Sequence, residues 1–394
     1  MTAAADDRLN AQLASVHDEV VATRRDLHRH PELGHEEHRT AALAAARCEK
    51  LGYRVRTGVG STGVLADMDG AGPGPTVLYR ADMDALPIVE RDDGRPVRSE
   101  VEGAMHACGH DGHLAIALGV ATVMASLRDR WAGTLRLCFQ PAEEVAAGAE
   151  RMIAQGALDG VDRAIGLHLW APLDTGRVAV SPDLVFGSAD EFRLTVRGHG
   201  GHGGLPHTSI DPVVAAAHVV VALQTLVSRE VSPQGTAVVT IGRIEGGQAF
   251  NVIAEEVRLR GTVRASEEGL RRHLLTRVEE LSRAVASALR CELRYELLDG
   301  CPPVVNDAAV AAVVRRAAVD AVGEAMVENG RPITVGDDFA YFLERVPGCY
   351  FLVGAGDPAQ AERPPHHHPA FDIDERALDV GLATAVRALL ASLP

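Results

Sequence analysis

Four short stretches of this chain carry side chains that could do metal chemistry. In Met105-His106-Ala107-Cys108-Gly109-His110-Asp111-Gly112-His113 a thiol and an imidazole flank one glycine at the start of an apolar helical pattern. A thiolate and a neutral imidazole both suit a borderline ion such as Zn²⁺, and a helix N-terminus favours the deprotonated thiol. A capping turn with incidental histidines is the plain alternative. Phe139-Gln140-Pro141-Ala142-Glu143-Glu144 sets two adjacent carboxylates behind a strand and a proline. Neighbouring residues point differently, so one can ligate a metal while the other faces a water, which is the division of labour of a metal hydrolase. Acidic residues complementing a helix dipole would look the same. Gly166-Leu167-His168-Leu169-Trp170 holds a histidine in a short apolar run, which alone reads as a core histidine. His366-His367-His368-Pro369-Ala370-Phe371 is an internal triple histidine followed by folding-competent sequence, which argues against a tag. Together the stretches offer Cys, His, Glu, His and His in chain order with one glutamate to spare. That is enough for two metals sharing bridging groups.

These groups need elements to hold them. Residues 11–52 have helical periodicity, broken at His30-Pro31-Glu32-Leu33-Gly34. Thr76 to Arg80 is an apolar strand running into Ala81-Asp82-Met83-Asp84; Asp111 onward is a helix, Thr134 to Phe139 a strand, Ala142 to Gln155 a helix, and Ala164 to Leu169 a strand. Strands alternating with helices, with polar residues at the strand ends, predict an open α/β sheet with its site at those ends. Near Phe186-Gly187-Ser188 the pattern changes to strand (Glu191 to Arg197), a Gly/His-rich loop (Gly198 to His207), helix (Asp211 to Ser228), two strands (Thr236 to Glu245, Glu256 to Arg264), helix (Glu267 to Ala288) and strand (Cys291 to Leu298). That order is the ferredoxin-like β-α-β-β-α-β unit. Helix and strand then resume with Ala308 to Ala321 and Cys349 to Val353, so a compact domain is inserted into a larger α/β one. Gly58-Val59-Gly60-Ser61-Thr62-Gly63 matches a dinucleotide fingerprint, but the residues after it alternate as a strand, so it reads as a hairpin.

Composition removes other chemistries. With 39 Lys+Arg against 54 Asp+Glu, the net charge of −15 disfavours nonspecific binding to nucleic acid or anionic lipid. Lys50 is the only lysine, and no glycine precedes it. A P-loop and a Ser-Lys dyad therefore lack their lysine, and Schiff-base chemistry would have to use a residue on a helical face. The six cysteines form no C-x-x-C pair and read as buried small hydrophobes in a reducing cytoplasm. No signal-like segment is visible at the N-terminus, and Leu114 to Leu127 is shorter than the ~20 residues that span a bilayer.

The stretches LHRHPELG (27–34), RADMDALPI (80–88), MHACGHDGH (105–113), QPAEE (140–144), GLH (166–168), GHGGHGGLPH (198–207), NVIAEEVRLRGTVR (251–264), DDFAYF (337–342) and HHPAFDIDE (367–375) follow one another across almost the whole chain. In this order they resemble the M20 metallopeptidase family, in its amidohydrolase branch of aminoacylase-like, hippurate and auxin-conjugate hydrolases. The resemblance implies an α/β, mixed-sheet metallopeptidase catalytic domain (residues 1–186 and 300–394) with an inserted α+β ferredoxin-like lid and dimerisation domain (187–299). It implies two divalent ions per subunit, Zn, Mn, Co or Ni, on Cys108, His110, Glu144, His168 and His367. His367 is chosen because the family places its histidine two residues before the proline, which leaves His366 and His368 without a role. Glu143 would be the general base, Asp84 would orient a ligand, and His202 would stabilise the oxyanion across a dimer interface. Asn251 and Arg264 would hold the substrate carboxylate, a task that suits an arginine fork.

The activity so implied is hydrolysis of N-acyl-L-amino acids to a carboxylic acid and a free amino acid. A metal-activated water attacks, Glu143 acts as base, and the enzyme is a cytoplasmic homodimer with no nucleic-acid or membrane partner. A dipeptidase or carboxypeptidase with the same centre is the alternative within the class. A non-catalytic metal-dependent binding protein is the alternative outside it, and the spare Glu143 argues against that one. The chain departs from the family at Val145-Ala146-Ala147-Gly148, where a glycine-rich turn is usual and a narrower acyl pocket follows. Its Asp337-Asp338-Phe339 is a conservative variant, and His35 replaces an aromatic residue as a packing or surface group. His28, His30, His38 and His113 read as structural or as supporting the ligands.

Overall fold

The computed structural model describes residues 3–92 and 94–394. The chain divides into two compact units. One contains the chain up to Val185 with Val305–Arg331 and Asp338–Pro394; the other contains Phe186–Val304 with Pro332–Asp337.

The larger unit is built on an eight-stranded mixed sheet. Its strand order is Arg54–Val59, Gly63–Asp69, Thr134–Gln140, Thr76–Asp82, Arg163–Asp174, Gly348–Gly356, Val178–Ala179 and Val327–Glu328. Thr76–Asp82 runs parallel to both Thr134–Gln140 and Arg163–Asp174, and the latter runs parallel to Gly348–Gly356. The central strands are apolar runs rather than alternating ones, because helices cover both faces; Gly348–Gly356 is buried at every position. Helix His110–Ser126 is buried nearly all round, as its unbroken apolar composition requires. Its core neighbours include Val20, Leu27, Leu378 and Leu382 from helices His17–Arg29 and Arg376–Ser392. The glycine fingerprint is a hairpin: Arg54–Val59 pairs antiparallel with Gly63–Asp69, and Gly58 and Gly60 take positive φ in the bend.

One expected element is shorter than predicted. Residues 142–155 read as a helix, but the helix is only Gly148–Ala154. Ala142 and Ala146 have φ of 54° and 49°, so the segment carrying Glu143 and Glu144 is a turn.

The smaller unit is a four-stranded antiparallel sheet in the order Ala237–Gly246, Glu256–Ala265, Ala189–Arg197, Glu292–Cys301. Helices Pro212–Thr225 and Glu268–Ala288 cover one face, which gives the ferredoxin-like arrangement. Asp211 caps the first helix by accepting from the Val213 and Val214 N–H groups, and Pro212 fits its first turn. By length and composition alone, Pro212–Glu230 could cross a membrane. Here Ala215, Ala216, Val219, Leu223 and Leu226 pack on the sheet.

Candidate active site

The site lies where parallel strands of the larger sheet end, as expected for an open α/β sheet. Thr76–Asp82 delivers Asp82 and, just beyond it, Asp84. Thr134–Gln140 delivers the Glu143-Glu144 turn, and Arg163–Asp174 carries His168. Cys108 and His110 enter at the start of helix His110–Ser126, separated by Gly109 at φ 93°, a backbone state that suits glycine. His367 comes from a loop before the last helix. Its backbone sits at φ 65°, and its N–H donates to the Ala107 carbonyl at 2.8 Å, which ties it beside Cys108. Strain of this kind collects at functional sites.

The side chains converge. Cys108 Sγ lies 3.6 Å from His168 Nε2. His367 Nε2 lies 3.3 Å from Glu144 Oε2, and His110 Nε2 lies 3.8 Å from Glu143 Oε2 and 3.9 Å from Glu144 Oε1. Ligand atoms of Cys108, Glu144 and His367 fall within 4.8 Å of one another, and so do those of His110, Glu143 and Glu144. The structure thus brings together Cys108, His110, Glu143, Glu144, His168 and His367. Two buried atoms in this set, His110 Nε2 and Glu144 Oε1, have no hydrogen-bond partner. Buried polar atoms are seldom left so, and a divalent cation is a fitting partner for an imidazole lone pair and a carboxylate oxygen. Burial opposes charge on the His110 ring, but Asp82, Asp84 and Glu144 push its pKa up to about 10. The donor set fits a metal centre.

Hydrogen bonds on the far ring nitrogens orient two of the candidate ligands. His110 Nδ1 donates to the Asp84 carbonyl at 2.9 Å, and His168 Nδ1 to the Leu169 carbonyl at 2.8 Å; in both rings Nε2 is left to face the cluster. The Asp84 carbonyl thus holds the His110 ring, with Asp84 Oδ1 3.5 Å from the same Nδ1. The Asp84 carboxylate also accepts from the chain: Oδ1 and Oδ2 take the Glu143 and Glu144 N–H groups, each at 3.0 Å.

Three residues near the ligands had no assigned place in the centre. Asp82 Oδ2 accepts from Arg80 at 2.6 Å and sits 3.6 Å from His110 Nε2. His113 has both nitrogens engaged: Nδ1 donates to Asp82 Oδ1 at 2.7 Å and Nε2 accepts the Leu169 N–H at 2.9 Å. His366 stacks on Trp170 (centroids 4.6 Å apart, 22° between planes), and its Nδ1 is 3.8 Å from Cys108 Sγ. Its Nε2 accepts the Ala171 N–H at 3.2 Å, so the ring has no lone pair left for a metal in its neutral form. Burial, with His367 and His113 beside it, pushes its pKa down to about 3. The spacing to Pro369 selects His367, and the hydrogen bond to Ala171 agrees with it, with His366 Nδ1 still close to the Cys108 and His168 donor atoms.

The remaining candidate residues lie in the smaller unit. His202 pairs with Val252 across a two-residue ladder, and the Gly203 N–H donates to the Asn251 carbonyl at 2.8 Å, so His202 and Asn251 share one loop junction. His202 is exposed, and its Nδ1 accepts the Gly204 N–H at 2.9 Å, which places the neutral ring's proton on Nε2. Arg264 donates to Thr262 Oγ1 and the Val263 carbonyl, and among the described residues no carboxylate pairs with it. Burial lowers its pKa.

The chain belongs to the peptidase family M20/M25/M40, whose model matches residues 78–391. It is 40% identical over 367 residues to an N-acetyl-L-cysteine deacetylase of Bacillus subtilis (strain 168), covering 93% of this chain and 86% of that one. It is 38% identical over 377 residues to the Arabidopsis thaliana IAA-amino acid hydrolase ILR1-like 2, covering 95% and 85%. A Bacillus subtilis structure described as a dinuclear metal binding peptidase of the M20 family superposes with a TM-score of 0.82 at 31% identity, covering 96% of this chain and 99% of that one. The protein is a metal-binding hydrolase of this family with its mixed α/β fold.

Proposed function

We propose that this hydrolase cleaves the amide bond of N-acyl-L-amino acids, releasing a carboxylic acid and a free amino acid. The observation that carries this reading is the pairing of two orphaned buried ligand atoms, on His110 and Glu144, with the adjacent carboxylate of Glu143. Cys108, His110, Glu144, His168 and His367 would hold two divalent ions, with Zn, Mn, Co and Ni all compatible with thiolate, imidazole and carboxylate donors. When bound, such ions supply Lewis acidity that polarises a carbonyl and makes water a competent nucleophile near neutral pH. Glu143 takes the proton of the attacking water and returns it to the amine nitrogen as the C–N bond breaks. His202 donates its Nε2–H to the developing oxyanion, and Asn251 and the carboxylate-free Arg264 receive the substrate's carboxylate.

The inserted unit makes a homodimer in this reading. Strand Ala237–Gly246 is an open sheet edge, with Ile244 59% exposed, and helix Pro212–Thr225 leaves Val221 70% exposed. An unprotected edge beside an apolar face suits a second copy of the chain. The compartment is the cytoplasm, in keeping with six buried free thiols.

The test is release of free amino acid from a panel of N-acyl amino acids by Mn- or Zn-reconstituted protein, with and without chelator. Chelator-sensitive turnover is expected. Cleavage of dipeptides bearing a free α-amine, with no turnover of any acylated substrate, would replace this reading by the dipeptidase one.

A further inference from the structure

The segment Leu27–Glu37 has no role in the chemistry described above, yet it packs against the turn that carries Glu143 and Glu144. Leu33 bridges to Ala85, and the Ala85 N–H donates to the Glu32 carbonyl at 2.8 Å. A Cβ on Gly34 would stand 3.3 Å from Ala142 Cα and 3.5 Å from Asp84 Oδ2. At the end of this segment is Glu37, a fully buried carboxylate. Its Oε1 accepts the N–H of His35 at 3.0 Å and the N–H of Ala142 at 2.9 Å, and its Oε2 accepts the Thr62 hydroxyl.

With Asp84, this makes a two-carboxylate clamp. Ala142, Glu143 and Glu144 present three consecutive N–H groups; Glu37 takes the first, and the two oxygens of Asp84 take the others. These donors are the ones a helix would leave unpaired in its first turn, but here Ala142 is at φ 54° and the chain does not enter a helix until Gly148. An alanine at positive φ is costly unless the surroundings over-determine it. Hydrogen bonds donated by the turn's N–H groups to buried carboxylates do that.

We propose that Glu37 is a positioning residue: it holds the Ala142–Glu144 turn in its left-handed entry and so aims the Glu143 carboxylate for proton transfer. This rests on the reading of Glu143 as the base. Glu37→Ala should remove the clamp, whereas Glu37→Gln keeps an acceptor oxygen for both N–H groups and can donate to Thr62, so it should rescue. The expected result for Glu37→Ala is amide exchange in the 140–147 peptide of the metal-free protein at least ~10-fold faster, with strand Gly348–Gly356 unchanged. In the metal-loaded enzyme kcat should fall ~10- to 100-fold with KM nearly constant. Glu37→Gln should stay within about threefold of wild type in both measurements. If Glu37→Ala does not fold, Glu37→Asp, one methylene short of reaching both Ala142 and Thr62, takes its place.

Unchanged exchange at 140–147 overturns the proposal. So does faster exchange with full kcat, provided Glu143→Gln is inactive in the same assay. Should Glu143→Gln itself retain activity, the base assignment falls, and the exchange measurement still decides whether Glu37 holds the turn.

Discussion

Arg24 offers a quantitative test of how the segments carrying the candidate ligands are held. Its side chain is 3% exposed and donates from Nε to Asp111 Oδ2 at 2.9 Å and from Nη2 to Asp372 Oδ1 at 2.7 Å. Asp111 follows His110 in the helix start, and Asp372 lies in the segment after His367, so one guanidinium braces two pieces of chain that carry candidate ligands. The partners do not contribute equally. Asp372 and Glu375 are 39% and 25% exposed and worth little once solvent screening is allowed for. Asp111 is 1% exposed, and without Arg24 it keeps no cationic arginine, only the His28 ring with Nδ1 2.7 Å away and the Gly112 N–H at 2.9 Å. Removing one partner of a buried pair costs about 3–5 kcal/mol. For a unit of this size that is about 6–10 °C in Tm, at roughly 2 °C per kcal/mol.

The pH dependence of Arg24→Met has a defined sign. Burial pushes the Asp111 pKa up, but Arg24 and His28 hold it well below the usual carboxylate range. A depressed carboxylate contributes stability that is present above its unfolded pKa of ~3.9 and is lost as pH falls through the folded value. In the variant burial acts with less opposition and the folded pKa of Asp111 rises. The Tm gap to wild type should therefore be full at pH 7 and narrow toward pH 4, where the variant's Asp111 takes up a proton. For His28 burial and Arg24 act against the charge, but Asp111 and Glu90 raise its pKa, so its contribution is present below ~6.5 and lost as pH rises through the raised value. The variant should weaken further above neutrality. Differential scanning fluorimetry in chelator from pH 4.5 to 8.5 measures this. A Tm loss under ~2 °C at pH 7, or a gap that widens toward acid, would refute the account of Arg24 as partner to a buried charge.

Glu143→Gln should retain metal while kcat falls at least ~10²-fold; loss of metal instead would mean that Glu143 and Glu144 exchange roles. Cys108→Ser should weaken metal binding, because a hydroxyl stays protonated where a thiol ionises, and unchanged affinity by calorimetry would remove Cys108 from the ligand set. His202→Ala should lower kcat ~10²–10³-fold with metal content intact. Mixed with Glu143→Gln under subunit exchange, it should partly recover activity; failure despite proven exchange would place His202 in the same subunit as the centre it serves. Val221→Glu with Ile244→Glu should shift the protein toward monomer in sedimentation, and an unaltered mass would move the interface elsewhere.

The elements legible in the sequence are those whose local pattern agrees with their final place. Gly348–Gly356 reads as a buried strand because helices cover both faces of the sheet, and Asp211-Pro212 marks a helix start because cap and first turn are local. The turn at Ala142–Ala147 is the opposite case. Alanine and glutamate favour helix there, but the N–H groups of Ala142 and Glu143 go to Glu37 and Asp84, 105 and 59 residues away, and the chain turns instead. The same distinction runs through the site. Residue type and spacing were enough to single out Cys108, His110 and the Glu143-Glu144 pair, and the family resemblance was needed to choose Glu144 and His168 as ligands. Neither could show that the Nε2 atoms of His113 and His366 accept backbone N–H groups, while His110 and His168 have their Nδ1 atoms on backbone carbonyls and their Nε2 atoms facing inward. A histidine is aimed as a candidate ligand by what its other nitrogen touches, and for His110 that is Asp84, whose carbonyl lies 2.9 Å and whose Oδ1 lies 3.5 Å from Nδ1. That carbonyl belongs to the residue whose carboxylate holds the Glu143 and Glu144 N–H groups. A candidate ligand and the proposed base are therefore both held by one aspartate, and a change at Asp84 should disturb metal affinity and proton transfer together.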